Sequence, residues 1–134
     1  MSAADQVRAF TDSALGRADS FHKKISLELF RRIVLRTPVD TGRLRGNWQP
    51  GAGVYETATT DTPDPGGQAT IGAISATVLG AGPFVALTLT NNLPYATPIE
   101  YGWSKQAPAG MVRVSVAEFQ GIARVTIQEG DRGR

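Results

Sequence analysis

The stretch ADSFHKKISLELFRRIVLR, residues 18–36, decides the fold class. Phe21, Ile25, Leu29 and Ile33 form one apolar line at spacing four, and Leu27, Phe30 and Val34 form a second. At ~100° per residue the two lines point roughly 150° apart, which describes a helix that is apolar on two opposed sides. Such a helix must bury both. One side faces the core of its own chain, and 134 residues leave little to cover the other. A neighbouring subunit is therefore expected on Leu27, Phe30 and Val34, the alternative being a helix simply central in its own fold. Glu28 precedes Arg32 by four, the favourable order for an ion pair. Arg31, Arg32 and Arg36 stand where the helix dipole favours cations.

Working outward towards the N-terminus, Ser2 and Asp5 have the spacing of a capping box, with Asp in the place of Glu or Gln. Ala3, Val7, Phe10 and Ala14 follow a three-four spacing, a thin stripe that gains little from packing within one subunit. Gly16 costs about 1 kcal/mol relative to Ala in a helix interior, so a weak point or bend is expected there. Residues 1–17 read as a helical arm that orders in an assembly.

Towards the C-terminus, Pro38 ends the helix by pushing its predecessor out of the α region. Asp40, Thr41 and Gly42 make a turn, with Asp40 or Thr41 placed to cap a short helical turn through Arg43 and Leu44. Arg43 and Arg45 then either contact an adjacent ring of subunits or sit in solvent. A strand is expected from about residue 46 to Tyr55, kept to an edge by Pro50. Residues 56–67 read as an exposed loop, and residues 68–79 as a helix on Ile71, Ile74 and Val78. Residues 84–90 alternate and should pair antiparallel with the first strand.

Residues 91–111, NNLPYATPIEYGWSKQAPAGM, form a long connection that holds three of the eight prolines and two of the three tyrosines. Tyr95, Tyr101 and Trp103 are too apolar for a disordered linker, and ordered loops of this length are usually functional. Glu100 is a carboxylate in a nearly uncharged stretch and needs a partner, for which Arg43, Arg45 and Lys105 are candidates. It either clamps the loop within its subunit or bridges to a neighbour. Val112, Val116, Phe119 and Ala123 carry a helical spacing on to Ile127, and residues 129–134 read as a frayed tail. The expected fold is α+β: a long N-terminal helix, a small antiparallel sheet, a middle helix and a C-terminal helix. A long ordered loop separates the last strand from the last helix, and residues 1–128 make one domain.

Composition excludes more than it names. Net charge is only +2, and the basic excess is confined to residues 1–46, with nine Lys/Arg against five Asp/Glu. A solvated helix face accounts for it, and a surface facing DNA or an acidic partner is the alternative. There are no cysteines, so disulfides and thiolate chemistry are excluded. His22 is the one histidine, which leaves a catalytic base or a metal site with almost nothing to use. Ser20 and Lys23 have a Ser-x-x-Lys spacing, but its companion motifs are missing. Gly80 and Gly82 do not open a phosphate loop. The start, MSAADQ, has neither a basic nor an apolar segment, so no signal peptide is expected. No apolar run approaches the ~18 residues of a membrane span. No enzyme, cofactor or metal is expected.

Two blocks add a resemblance. TPVDTGRLRGNW, residues 37–48, and the successive segments NNLPYA, IEYGWS and QAPAGM, within residues 91–111, resemble a family of neck or tail-completion proteins of tailed bacteriophages. The resemblance covers roughly residues 18–128. It implies a structural subunit of the ring that joins the phage head to the tail, or that completes the tail. The partners it implies are copies of itself, portal, connector or head-closure proteins, and tail-terminator or tail-tube proteins, with DNA only as passing cargo. It implies a place in the virion neck or tail, after assembly in the host bacterial cytoplasm. On this reading Leu27, Phe30, Val34, Asp40, Arg43, Arg45, Tyr95, Glu100, Tyr101, Trp103, Gln106 and Met111 are contacts between subunits or rings. A tail terminator, or a small DNA-binding module using Lys23, Lys24, Arg31, Arg32 and Arg36, is the alternative.

Overall fold

One helix sets the length of the molecule. In the computed structural model, which describes residues 2–119 together with Gly121, Arg124 and Gln128, α1 runs unbroken from Ala3 to Arg36. At 1.5 Å per residue its 34 residues span ~51 Å. The capping box at its start is present, Ser2 Oγ accepting from the Asp5 N–H and Asp5 accepting from the Ser2 N–H. The helix is continuous through Gly16. Only its C-terminal half packs on the rest of the chain; residues 2–18 are exposed apart from a half-buried Ala14.

The remaining elements fold against that C-terminal half. A short turn of helix, α2 (Arg43–Gly46), leads into β1 (Trp48–Ala52). The middle helix α3 (Gln68–Gly80) packs on α1 and β1. β2 (Leu87–Asn91) pairs antiparallel with β1, Trp48 opposite Asn91 and Ala52 opposite Leu87. A two-stranded sheet has only edges, so Pro50 costs it no ladder bond that a central strand would need. The strands are shorter than the alternation suggested. Gly53 turns β1 out of the ladder at φ 79° before Val54 and Tyr55, and Phe84 stands at φ 57° before β2 begins.

Two further short helices follow. The expected loop after β2 contains α4 (Ala96–Glu100), and α5 (Val112–Ala117) stands where the C-terminal helix was expected to begin. Helical conformation recurs at Phe119, Gly121, Arg124 and Gln128. The expected contributions of Ala123 and Ile127, and the tail 129–134, lie outside the described residues. The α+β architecture stands as read from the sequence.

The core corrects one expectation. Phe30 and Val34, assigned above to a neighbour, are buried in the chain's own core with Ile33, Leu44, Trp48, Ile74, Val78, Leu93 and Met111. Leu27 packs against the same cluster, as does Leu29 from the other line. Met111, also assigned to a contact, is 1% exposed. α3 and the segments around Leu44 and Ala107 fold over the second apolar side, so the helix is central in its own fold. No helix among the described residues is long and apolar enough to cross a membrane.

Candidate functional site

Two blocks single themselves out in the sequence, and they are built oppositely. The first, residues 37–48, turns its polar groups inward. Thr37, fully buried, donates its hydroxyl to the Ile33 carbonyl at 2.8 Å and accepts the Trp48 indole N–H at 2.7 Å. Arg45 reaches across the end of α1 to the carbonyls of Thr37 at 2.8 Å and Leu35 at 3.0 Å, and to Pro65 at 2.8 Å. The first two are carbonyls that the C-terminus of α1 leaves without intrahelical partners. Asn47, also fully buried, donates to the carbonyls of Arg43 and Thr60 and accepts from the Thr60 N–H. Gly42, at φ 93°, passes so close to Pro65 that a Cβ would lie 2.5 Å from its nitrogen. The block is an internal joint between α1, β1 and the 56–67 loop.

Arg45 is therefore a clamp within the chain and not a contact offered to another ring. Arg43 pairs with the exposed Asp61 at 3.0 Å, so it too is engaged within the chain. The N-cap of α2 is Gly42 and not Asp40 or Thr41; the Thr41 hydroxyl accepts from the Arg43 N–H at 3.3 Å, while Asp40 is exposed.

The second block, residues 95–113, turns its polar groups inward and its aromatic groups outward. Glu100 is the pivot. One carboxylate oxygen accepts the N–H groups of Met111 at 2.7 Å and Val112 at 2.6 Å, and the other accepts the Arg113 N–H at 3.0 Å. The Arg113 side chain closes the unit, bonding the Glu100 carboxylate through Nε at 3.2 Å and the Glu100 carbonyl at 2.7 Å. Arg113 replaces Arg43, Arg45 and Lys105 as the ionic partner, and Glu100 clamps the loop within its own subunit. Burial pushes the Glu100 pKa up, but the backbone N–H groups of Arg113, Val112 and Met111 outweigh it and hold the carboxyl below its usual range. Gly110, at φ 89°, leaves room for this turn; a Cβ there would run into the Glu100 carbonyl.

The same unit aims the aromatics. The Arg113 guanidinium lies 4.6 Å from the Tyr101 ring centroid, a stacking that holds the ring in place. Tyr101 is nonetheless 65% exposed and Trp103 79%. Tyr95, before α4, is 40% exposed. Gln106 ties the two blocks together, accepting from the Val39 N–H at 2.9 Å and donating to the Val39 carbonyl at 3.1 Å. Between them lies an open groove of about 400 Å³, lined by Leu35, Thr37, Pro38, Ala107, Pro108 and Val114 among others. Its two charged lining groups are both engaged, Arg45 as above and Arg36 on Ser115 and Glu118.

The basic residues of α1 are mostly occupied as well. Lys23 pairs with Asp19 at 3.2 Å and donates to the Ala81 carbonyl. Arg32 bridges Glu28 and Glu118 at 3.0 and 2.9 Å, and Arg36 joins the same Glu118. Among the described residues no group of three or more metal-ligating side chains converges. No protein-family model, curated protein or solved structure matches the chain.

Sequence reasoning reached Glu100, Tyr101 and Trp103 but missed Thr37, Asn47 and Arg113 as organising groups. Thr37 and Asn47 carried a usable signal: each is a short polar residue inside an otherwise turn-forming block that must be buried beside a tryptophan. Arg113 sits thirteen residues from Glu100, and no local pattern links them.

Proposed function

We propose that the chain is a structural subunit of a phage virion, in the ring that joins the DNA-filled head to the tail or completes the tail. The observation that carries this reading is the aromatic ridge. Tyr101 and Trp103 are held by a fully bonded backbone unit, yet present most of their surface to solvent. Large aromatic side chains on a rigid support are what interface centres are made of. The exposed arm of α1 is a second surface, far along the chain from the first, and two different surfaces suit the head-to-tail contacts that close rings. The resemblance of residues 37–48 and 91–111 to neck proteins points the same way. The partners are copies of the chain itself and the ring proteins above and below it, with DNA as cargo.

The DNA-binding alternative loses most of its surface. Lys23, Arg31, Arg32 and Arg36 are engaged within the chain, on Asp19, Glu28, Glu118 and the Ala81 carbonyl. Complementation of a phage lacking this gene decides between the readings. Trp103→Ala should give folded subunits with full heads and separate tails in the lysate. Infectious particles at normal yield from that variant would remove the ridge from the assembly.

A further inference from the structure

The groove between residues 35–38 and 106–110 is built as a seat. Its apolar wall is Leu35, Pro38, Ala107, Pro108 and Val114, and its volume of about 400 Å³ is within the range of pockets that bury ring-sized groups. The polar side chains that line it are spent within the chain. Thr37 bonds Ile33 and Trp48, Gln106 bonds Val39, Arg45 holds the end of α1, and Arg36 holds Ser115 and Glu118. Water there is readily displaced by an apolar group, and a charged occupant would find no free partner. The ridge borders this groove. Gly102, at φ 91°, runs so close to Pro108 that a Cβ would lie 2.7 Å from its carbonyl oxygen. Trp103 follows, its N–H on the Pro98 carbonyl at 3.3 Å.

The arm of α1 has the matching form. Ala3, Val7, Phe10 and Ala14 fall within ~60° of one another around the helix, and Val7 and Phe10 are 65% and 70% exposed. Asp5, Arg8 and Asp12 lie on the far side, ~160° away, and Asp5 is bonded to Ser2 and paired with Arg8. An amphipathic helix with apolar anchors at such spacing is the shape that lies in an apolar groove. It cannot reach the groove of its own chain. α1 is unbroken, and Phe10 stands ~38 Å along it from Leu35.

We infer that the apolar side of the arm in one copy lies in the groove of the next copy, with Val7 and Phe10 inside it and Tyr101 and Trp103 along its edge. Tyr101 and Trp103 leave roughly 300 Å² of ring surface open. That is over a third of the ~800 Å² that one partner gives to a stable interface, and the groove adds to it. Charge agrees, since an uncharged helix face meets a groove with no uncommitted charge. Arm and groove stand at opposite ends of α1, so a copy that inserts its arm into one neighbour keeps its groove for another. The contact is heterologous, the kind that closes rings. The ridge of a second copy is a poorer occupant: Trp103 is rooted at the edge of its own groove, so an exchange of ridges would close as a two-fold pair and leave the arm bare. This inference rests on the ring reading above and names what the ridge receives.

Sedimentation at rising concentration tests it on wild type, on Phe10→Glu, which spoils the arm, and on Ala109→Glu, which puts a charge in the groove. Both positions are exposed, so both variants should melt as wild type does. Leu35→Lys is a second groove variant, with a cation suited to the end of α1. Each variant alone should self-associate about thirtyfold more weakly or worse. An equimolar mixture of Phe10→Glu and Ala109→Glu should form pairs and stop there, because one brings the intact groove and the other the intact arm. Wild type should pass beyond two. Variants that associate as wild type does would overturn the inference and leave the ring standing, as would folded variants that form no pairs on mixing. A wild type that stops at two, and depends on Trp103 but not on Phe10, would overturn it in favour of the exchange of ridges. A wild-type chain that stays single at every concentration overturns it too, and the ring then rests on the phage complementation above.

Discussion

The joint at residues 37–48 and the ridge at residues 95–113 use polar groups in the same way and apolar groups in opposite ways. In both, carboxylates, amides and guanidiniums satisfy backbone donors and acceptors close by. The joint then buries its tryptophan, Trp48, at 6% exposure, whereas the ridge leaves Trp103 at 79%. Charged and polar side chains in a turn-rich block are thus poor indicators of a contact surface, because their first use is to complete the fold. What marks a contact surface is an apolar group that the fold supports and does not cover.

The largest effect should come from the centre that both blocks share. Phe30→Asp places an unpaired carboxylate in the core, and chains of this size have only ~5–15 kcal/mol of stability in total. Thermal and denaturant melts of the isolated chain should show it unfolded or nearly so. A cooperative melt close to wild type would restore the neighbour-facing assignment that burial removed.

Next comes the joint. Trp48→Ala should cost ~3–5 kcal/mol, combining a cavity with the loss of the Thr37 bond. Denaturant titration of this variant beside Trp103→Ala measures the contrast directly.

The Glu100 clamp should rank third and carry a pH signature. Glu100→Gln leaves backbone donors poorly satisfied, worth ~1–3 kcal/mol near neutral pH. The folded carboxyl titrates below its ordinary value near 4.5. Its contribution is therefore complete above that value and fades as pH falls through the lower, folded one. Asp64 and Glu118 are shifted the same way, so the whole molecule weakens in acid. The gap between wild type and Glu100→Gln should narrow there, and a gap independent of pH would show that the carboxylate is not the clamp.

The smallest effect on stability belongs to the ridge itself. Trp103→Ala should shift the isolated chain by no more than ~0.5 kcal/mol, the range of surface substitutions. Its effect is reserved for assembly. A large loss of stability would mean that the indole supports the loop and would erase the contrast.

The sequence made some of this legible. The capping box, the Glu28–Arg32 pair at 3.0 Å, the antiparallel strands and the middle helix are all local patterns, and all are present. The assignment of Phe30 and Val34 failed because two apolar lines on a helix do not say what lies over each. That depends on Leu44, Ile74 and Ala107 folding back from far along the chain. α4 was hidden because Pro98 reads as a break, although a proline within a first turn is tolerated. Arg45 was unreadable for the same reason of distance, since one of its acceptors is the Pro65 carbonyl, twenty residues on.

The chain has two tryptophans, and their surroundings differ as far as two indoles can: one bonded inside the joint, one standing on the ridge. The molecule is therefore its own optical reporter, with a fluorophore for each event that matters. Acrylamide should quench Trp103 freely and Trp48 hardly at all in the isolated chain. Assembly through the ridge should protect the first, and unfolding should expose the second. Ring formation and loss of fold can be followed as separate signals in one unlabelled sample.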